Sequence, residues 1–380
     1  MDRNNMTINE FADLVKDHLF DDRPDMAETH MVDVKEVTKN NGMILHGLSI
    51  REENENISPT IYLEQFLNEF KEGDPLSEIA ERIINVYEEH RAPSSISVDF
   101  ITDFDQAKER LAMKIVNADK NAAMLESTPH FKFGDLAAIF QVQVDSSEFG
   151  NAVVTVKDEQ MKMWGVDTQT LMDHAKANME YKQPVRIQSM IEVLTEMMGF
   201  TPEGMDDAGA PQMYVMTNET KINGAASMIF TDKLEEFAND HNANLFILPS
   251  SIHEILLIPD NGSMKISELE NMVREVNETQ VAPDEILSDN VYFYDKDAKS
   301  LYIAATNEPC VLESDGKDFS KPDKEMKAEK PEKAEKADKV KPPKEAKSIK
   351  DRLAEGKEKV ANAPSIPKEI TPKDKGRSIE

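Results

Sequence analysis

Residues 245–259 read LFILPSSIHEILLIP, and the fold class turns on how this stretch is taken. A helix that spans a bilayer needs about 20 consecutive apolar residues. Pro249, Ser250, Ser251, His253 and Glu254 interrupt this one well short of that length. What is left is two short runs of Leu, Ile and Phe around a Pro-Ser-Ser turn. Short apolar runs bounded by turn residues predict buried strands. The stretch is therefore expected to be a strand pair in a sheet, not a membrane anchor.

The flanks extend the pattern. DKLEEFANDH (232–241) and SELENMVREVNE (267–278) carry helical periodicity, the second with Ser267 and Glu270 as an expected capping box. MYVMT (213–217) and AASMIF (225–230) are expected strands around NETKING, where Asn218, Asn223 and Gly224 suit a turn. VYFY (291–294) and LYIA (301–304) flank DKDAKS. Asp295, Asp297 and Ser300 hint at a cation loop there, but the central glycine and closing glutamate of an EF-hand are missing, so a hairpin turn is expected. Strand pairs separated by single helices predict an antiparallel sheet covered by helices on one face, an α+β fold.

Upstream, Thr7 and Glu10 form a capping box ahead of Phe11, Leu14 and Val15. GMILHGLSI (42–50) reads as a strand or hairpin arm. Ser58-Pro59 is expected to open a helix carrying Tyr62, Phe66 and Phe70, ended by Gly73, and Asp74-Pro75 the next, with Ile79, Ile83 and Tyr87 on one face. The N-terminal third, residues 1–90, is thus expected to be mainly helical. In the middle part, 91–200, SISVDFI is a strand candidate and DFDQAKERLAMKIV (103–116) a helix. TPHFKFGDLAAIF is a loop entering a strand, and DLAAIFQVQVD and GNAVVTVK form a hairpin around SSEF. A short turn from Asp158 carries Trp164 inward, Gly165 breaks it, and Asp167 or Thr168 caps a second helix. VRIQSMIEVLTEMMGF (185–200) reads as one amphipathic helix. TPEGMDDAGAPQ is the best internal boundary, before strand–strand–helix repeats over 211–305 that are open to forming one domain with the middle part.

From about Glu313 the periodicity is lost. KPDKEMKAEKPEKAEKADKVKPPKEAK lacks the apolar residues that offset ordering entropy, so 313–380 is expected to be a disordered tail. Within it SIKDRLAEGKEKV can place Ile349, Leu353 and Val360 on one face of a short helix at 348–360, a candidate motif for docking on a partner. The tail holds 19 basic and 16 acidic residues, which leaves 25 and 57 for residues 1–312, a net charge of −32. So acidic a body does not favour phosphate backbones, so no direct nucleic-acid binding is expected, and it repels anionic membranes. The single cysteine, Cys310, excludes disulfide frameworks and cysteine zinc sites. The first residues lack a signal-peptide pattern, so the expected compartment is the cytoplasm.

Several segments taken together, NNGMILHGLSIREENENISPTIYLEQF, MKMWGVDTQTLMDHAKANM, MYVMTNETKINGAASMIF and LFILPSSIHEILLIP, resemble the bacterial domain of unknown function 5688 family, over roughly residues 7–305. The resemblance implies a bacterial setting, often beside mobile elements, and a Lys-rich tail with an S-I-K-x-R-L-like segment, as at Ser348–Leu353. It implies no activity, cofactor or catalytic residue.

Candidate chemistry is sparse. Ser251, His253 and Glu254 bring a hydroxyl, an imidazole and a carboxylate together, and on a strand Ser251 and His253 would share a face. No glycine-framed nucleophile elbow surrounds them. His46, His130 and Asp135, with His253, could meet as a metal site, though no paired-histidine spacing supports it. Trp164 and methionines such as Met161, Met163, Met190, Met197 and Met198 are expected in the core; the sharper alternatives are a ligand platform at Trp164 and an adaptable partner groove made by the methionines. No nucleotide motif occurs, and no cofactor is expected. The reading is a non-catalytic protein acting through contacts with a protein partner. The alternatives are a small-molecule hydrolase using Ser251 and His253, and an acidic mimic of DNA that occupies a basic protein.

Overall fold

The two apolar runs pair antiparallel, with Ile247 opposite Leu257 and Leu245 opposite Pro259. The computed structural model describes residues 3–52, 58–91, 99–144, 152–200 and 212–320. Among these, strands β1 (His30–Thr38), β2 (Ile44–Glu52) and β3 (Thr60–Tyr62) form a three-stranded sheet. β4 (Leu111–Asn117), β5 (His130–Phe133), β6 (Leu136–Val144) and β7 (Ala152–Thr155) belong to a five-stranded sheet. β8 (Val185–Ser189), β9 (Tyr214–Asn218), β10 (Leu245–Leu248), β11 (Ile255–Pro259), β12 (Tyr292–Asp295), β13 (Ser300–Ile303) and β14 (Glu308–Pro309) make a seven-stranded sheet in the order β14-β13-β12-β10-β11-β9-β8. Strand β15 (Glu313–Ser314) returns to pair with β5. All the strand pairs are antiparallel and helices pack against the sheets, so the fold is α+β.

The unbroken apolar runs have a physical cause. Along β10, Leu245 and Ile247 join the main core with Ile255 and Leu257 of β11. Phe246, Leu248 and Ile258 point the other way and pack on Leu269 and Val273 of the helix Ile266–Thr279. The expected coverage on one face is therefore corrected: the centre of this sheet is buried on both. A strand buried on both faces needs no polar alternation.

The N-terminal part is three helices, Ile8–His18, Glu64–Glu72 and Leu76–His90, on one face of β1-β2-β3. Their core is separate from the main one and holds Phe11, Leu48, Ile50, Ile83 and Tyr87. The capping box at Thr7 and Glu10 forms, and Gly73 ends its helix. Thr60–Tyr62 is a strand, so the helix expected from Ser58 starts only at Glu64; the buried Ser58 hydroxyl donates to Ile50 O instead of capping.

Other expectations change for tertiary reasons. Phe104–Ala107 is a short helix capped by Asp103, but Leu111–Asn117 is strand β4, with Leu111, Met113 and Ile115 in the core. TPHFKFGD gives strand β5, not a loop. Asp99–Thr102 is helical, and the rest of the SISVDFI candidate lies outside the described residues. Val185–Ser189 is strand β8, and the helix is Met190–Met198, with Ser189 and Glu192 as its capping box. Gly224–Ile229 is a 3-10 helix, not a strand. The helix after Lys265 starts at Ile266 without a side-chain cap, so Ser267 and Glu270 form no capping box. DKDAKS is a hairpin turn in which Asp295 Oδ1 accepts from the Asp297 and Ala298 amides. The SSEF turn, most of the TPEGMDDAGAPQ boundary, and the tail from 321 with Ile349, Leu353 and Val360, lie outside the described residues.

The segment expected to begin a tail at Glu313 is folded as far as Ser320. The Asp315 side chain is only 6% exposed, accepts from Thr168 Oγ1 at 2.7 Å and lies 3.6 Å from His130 Nδ1. Lys317 pairs with Asp158 at 2.8 Å, and Phe319 packs against the main core.

Candidate functional site

Ser251 ends the turn after β10 and is buried. Its hydroxyl oxygen accepts from the His253 backbone amide at 3.0 Å. The His253 ring faces elsewhere: Nδ1 accepts from the Asn223 amide at 3.3 Å, and Nε2 lies 3.3 Å from Glu285 Oε1. The strand alternation that would have turned Ser251 and His253 the same way does not apply, because β11 starts only at Ile255. Burial pushes the Glu254 carboxyl above the usual carboxylate range, against the opposing pull of His253 and the Ser251 hydroxyl. The three groups serve the turn and its contacts with Asn223 and Glu285.

The metal candidates stay apart. His46 on β2 pairs with Glu64, Nδ1 to Oε1 at 3.0 Å. His130, at the start of β5, has Nδ1 2.8 Å from Thr128 O. Asp135, at the other end of the β5–β6 hairpin, accepts from Ser288 Oγ at 2.7 Å and from Tyr292 Oη. Among the described residues no three His, Cys, Asp or Glu side chains are grouped as metal ligands would be. Asp135 is a bridge between sheets, tying the five-stranded sheet to the seven-stranded one. Burial, and then the Asp135 charge, hold the Tyr292 hydroxyl well above its ordinary pKa. The same two causes, with Glu308 third, push the Cys310 thiol up to about 12.

One concave feature lies where no motif pointed. The face of β1-β2-β3 turned away from its helices opposes the outer face of β4-β6-β7, and between them is a cleft of about 600 Å³. Apolar wall is supplied by Val37, Val116, Ile139 and Val153, and polar wall by Ser49, Thr60, Thr155 and Gln141. Lys35, Lys39, Lys114 and Lys157 line it, with Glu36 and Asp284; Lys35 pairs with Asp33 at 2.7 Å and Lys39 donates to Tyr62 Oη at 3.4 Å. Lys157 is half-buried. Its ammonium donates to Thr128 Oγ1 at 2.7 Å and makes no ion pair among the described residues. Burial pushes its pKa down, opposed by Asp158 and helped by Lys317. One end of the cleft is fixed by the turn at Asn40–Gly42. Asn40 Nδ2 donates to Asp284 O at 2.8 Å, and Asn41 Nδ2 to Pro283 O and Ile286 O. Asn121 Oδ1 accepts from the Asn41 amide at 2.9 Å. These lysines are scattered over more than a hundred residues, so spacing could not reveal them. The one local signal is Lys114, which interrupts the apolar run LAMKIVN.

The methionines divide. Met161 is in the core, and Trp164 packs against it while its Nε1 donates to Ile101 O at 3.0 Å. Met163, Met197 and Met198 are exposed, contrary to the core expectation. No residue of the Met190–Met198 helix is fully buried; Met197 is 77% exposed and the following Phe200 62%.

No helix among the described residues is long and apolar enough to cross a membrane. No curated protein and no solved structure matches the chain. Residues 8–296 match the model of a family described as Family of unknown function (DUF5688), and the chain belongs to that family.

Proposed function

We propose that this is a non-catalytic, cytoplasmic bacterial protein that acts through contact with another protein, in a mobile-element setting. The observation that carries the reading is the Met190–Met198 helix with Phe200. Met197, Met198 and Phe200 form an apolar, methionine-rich run in solvent beside the edge strand β8. Exposed contiguous apolar surface marks interaction sites, and methionine adapts to varied partners. The acidic body favours a basic partner, of which a nucleic-acid-binding protein is the sharpest case. We take the folding units to be 1–90 and a second one in which the middle and C-terminal parts share the main core.

A photocrosslinking residue at position 197 should capture one discrete partner in cells, and the same residue at the exposed Met31 should not. Equal capture at both positions, or none at 197, would sink the reading. The hydrolase alternative gains no support from a His253 ring that faces Asn223 and Glu285. Fluorophosphonate labelling abolished by Ser251→Ala would nevertheless replace the contact reading with it.

A further inference from the structure

We propose that Asn261 is a site of self-modification: in the folded chain the loop Asp260–Ser263 converts its side-chain amide, through a cyclic imide, to aspartate and isoaspartate. An asparagine followed by glycine is the most open setting for this chemistry, because glycine puts no side chain beside the attacking main-chain nitrogen. The chain has three such pairs, at Asn41, Asn223 and Asn261. The fold treats them differently. The Asn41 side chain is held at both ends: Nδ2 donates to Pro283 O and Ile286 O, and Oδ1 accepts from Asn121 Nδ2. Asn223 Nδ2 donates to Gln141 Oε1, and the glycine after it, Gly224, is buried. Asn261, Gly262 and Ser263 are all exposed, and nothing lies within 4 Å of where a Cβ on Gly262 would stand. This pair alone of the three has room to close a ring.

The hydrogen bonds around Asn261 are those the reaction needs. The nucleophile is the Gly262 nitrogen, whose N–H donates to Asp260 Oδ1 at 2.8 Å, so a carboxylate stands ready to take its proton. The electrophile is the Asn261 side-chain carbon. Its Oδ1 accepts from the Ser263 amide at 3.0 Å and from the Ser263 hydroxyl at 2.6 Å. A main-chain amide can only donate, which fixes the oxygen, not the nitrogen, of Asn261 at that place. Two donors on one carbonyl oxygen draw electrons from its carbon and stabilise the negative charge that attack puts on the oxygen. The Gly262 nitrogen bonds to Asn261 Cγ, the bond from Cγ to the side-chain nitrogen breaks, and that nitrogen leaves as ammonia with the proton that Asp260 took. Water then opens the imide at one carbonyl or the other. One opening gives aspartate; the other gives isoaspartate, in which the main chain runs through the former side chain. Water is the only co-reactant. Either product adds a negative charge beside Asp260, and isoaspartate inserts a carbon into the connection from β11 to the helix Ile266–Thr279. The change runs one way, so the loop records the age of the molecule.

The test is prolonged incubation of the full chain at neutral pH, once folded and once in urea, with peptide mapping by mass spectrometry at all three pairs. In the folded chain Asn261 should convert at least about tenfold faster than Asn41 and Asn223. In urea, where only the sequence acts, the three rates should draw together. A chain carrying both Asp260→Ala and Ser263→Ala, two changes in an exposed loop, should convert Asn261 at least about threefold more slowly when folded and at the wild-type rate in urea. The comparison among the three pairs needs no variant to fold. Conversion of Asn261 in the folded chain no faster than that of Asn41 or Asn223 overturns the proposal. So does a doubly substituted chain that converts at the wild-type rate, or one that is slowed equally in urea.

Discussion

A methyl group on Gly224 would lie 2.0 Å from Thr217 Oγ1 and 2.4 Å from His253 O, and a carbonyl held in the fold cannot retreat that far. Gly224→Ala is expected to cost at least ~3 kcal/mol in urea unfolding, the scale of severe overpacking. Asp135 is the second residue on which much rests. Its carboxylate takes hydrogen bonds from the fully buried Ser288 and Tyr292. Asp135→Ala strands both hydroxyls, and a loss of about 2–4 kcal/mol is expected, larger than that of Tyr292→Phe. Neither role is legible in the sequence, where Asp135 reads as a candidate metal ligand and Gly224 as a turn residue, because the groups that explain them lie far off in the chain. Cys310 yields a pH dependence. Its thiol is raised from 9.0 unfolded to about 12 folded, so its contribution is complete below pH 9 and drains away between 9 and 12. Tyr292, raised above 10.0, acts in the same direction. The urea midpoint should fall above pH 9, and less steeply in Cys310→Ser. At pH 8 iodoacetamide should modify the folded thiol at least about a hundredfold more slowly than free cysteine.

Elements whose cause is local were readable in advance. The Thr7–Glu10 capping box, the helix stop at Gly73 and the hairpins around Pro249 and DKDAKS depend on a few neighbouring residues. β4 was not readable, because ERLAMKIV satisfies a helical period as well as a strand; its pairing with β6, from Leu111 opposite Val142 to Asn117 opposite Leu136, decides the matter. β8 merged with the helix after it for the same reason. The cleft stayed hidden because its walls come from β1, β4, β6 and β7, distant in the chain, and have no linear signature. β15 and the residues after it carry the prediction at this scale. A chain ended after Ser320 should melt higher than one ended after Leu312. The difference comes from the buried Asp315 with its His130 and Thr168 partners, the Lys317–Asp158 pair and Phe319. A gap of about 2 kcal/mol or more is expected, from one buried charged hydrogen-bond set and one aromatic side chain. Equal melting temperatures would show that this segment adds nothing to stability.

For the molecule as a whole, net charge governs the response to salt. At a formal −29 the folded chain repels itself, and salt relieves that repulsion. Sodium chloride added at low ionic strength should therefore raise the melting temperature by a few degrees, about 2–5 °C. A thermal scan over a salt series would read the effect, and a melting temperature that falls with salt would contradict it. The late strand has a further consequence, for the order of assembly. Glu313 and Ser314 pair with Lys132 and Phe131, across a loop that contains the entire seven-stranded sheet. Closing so long a loop is slow, so β5 waits as an open edge while the rest of the chain folds. That edge is where a stalled or truncated molecule would recruit a strand from a neighbour, which makes the last strand to arrive this protein's guard against its own aggregation.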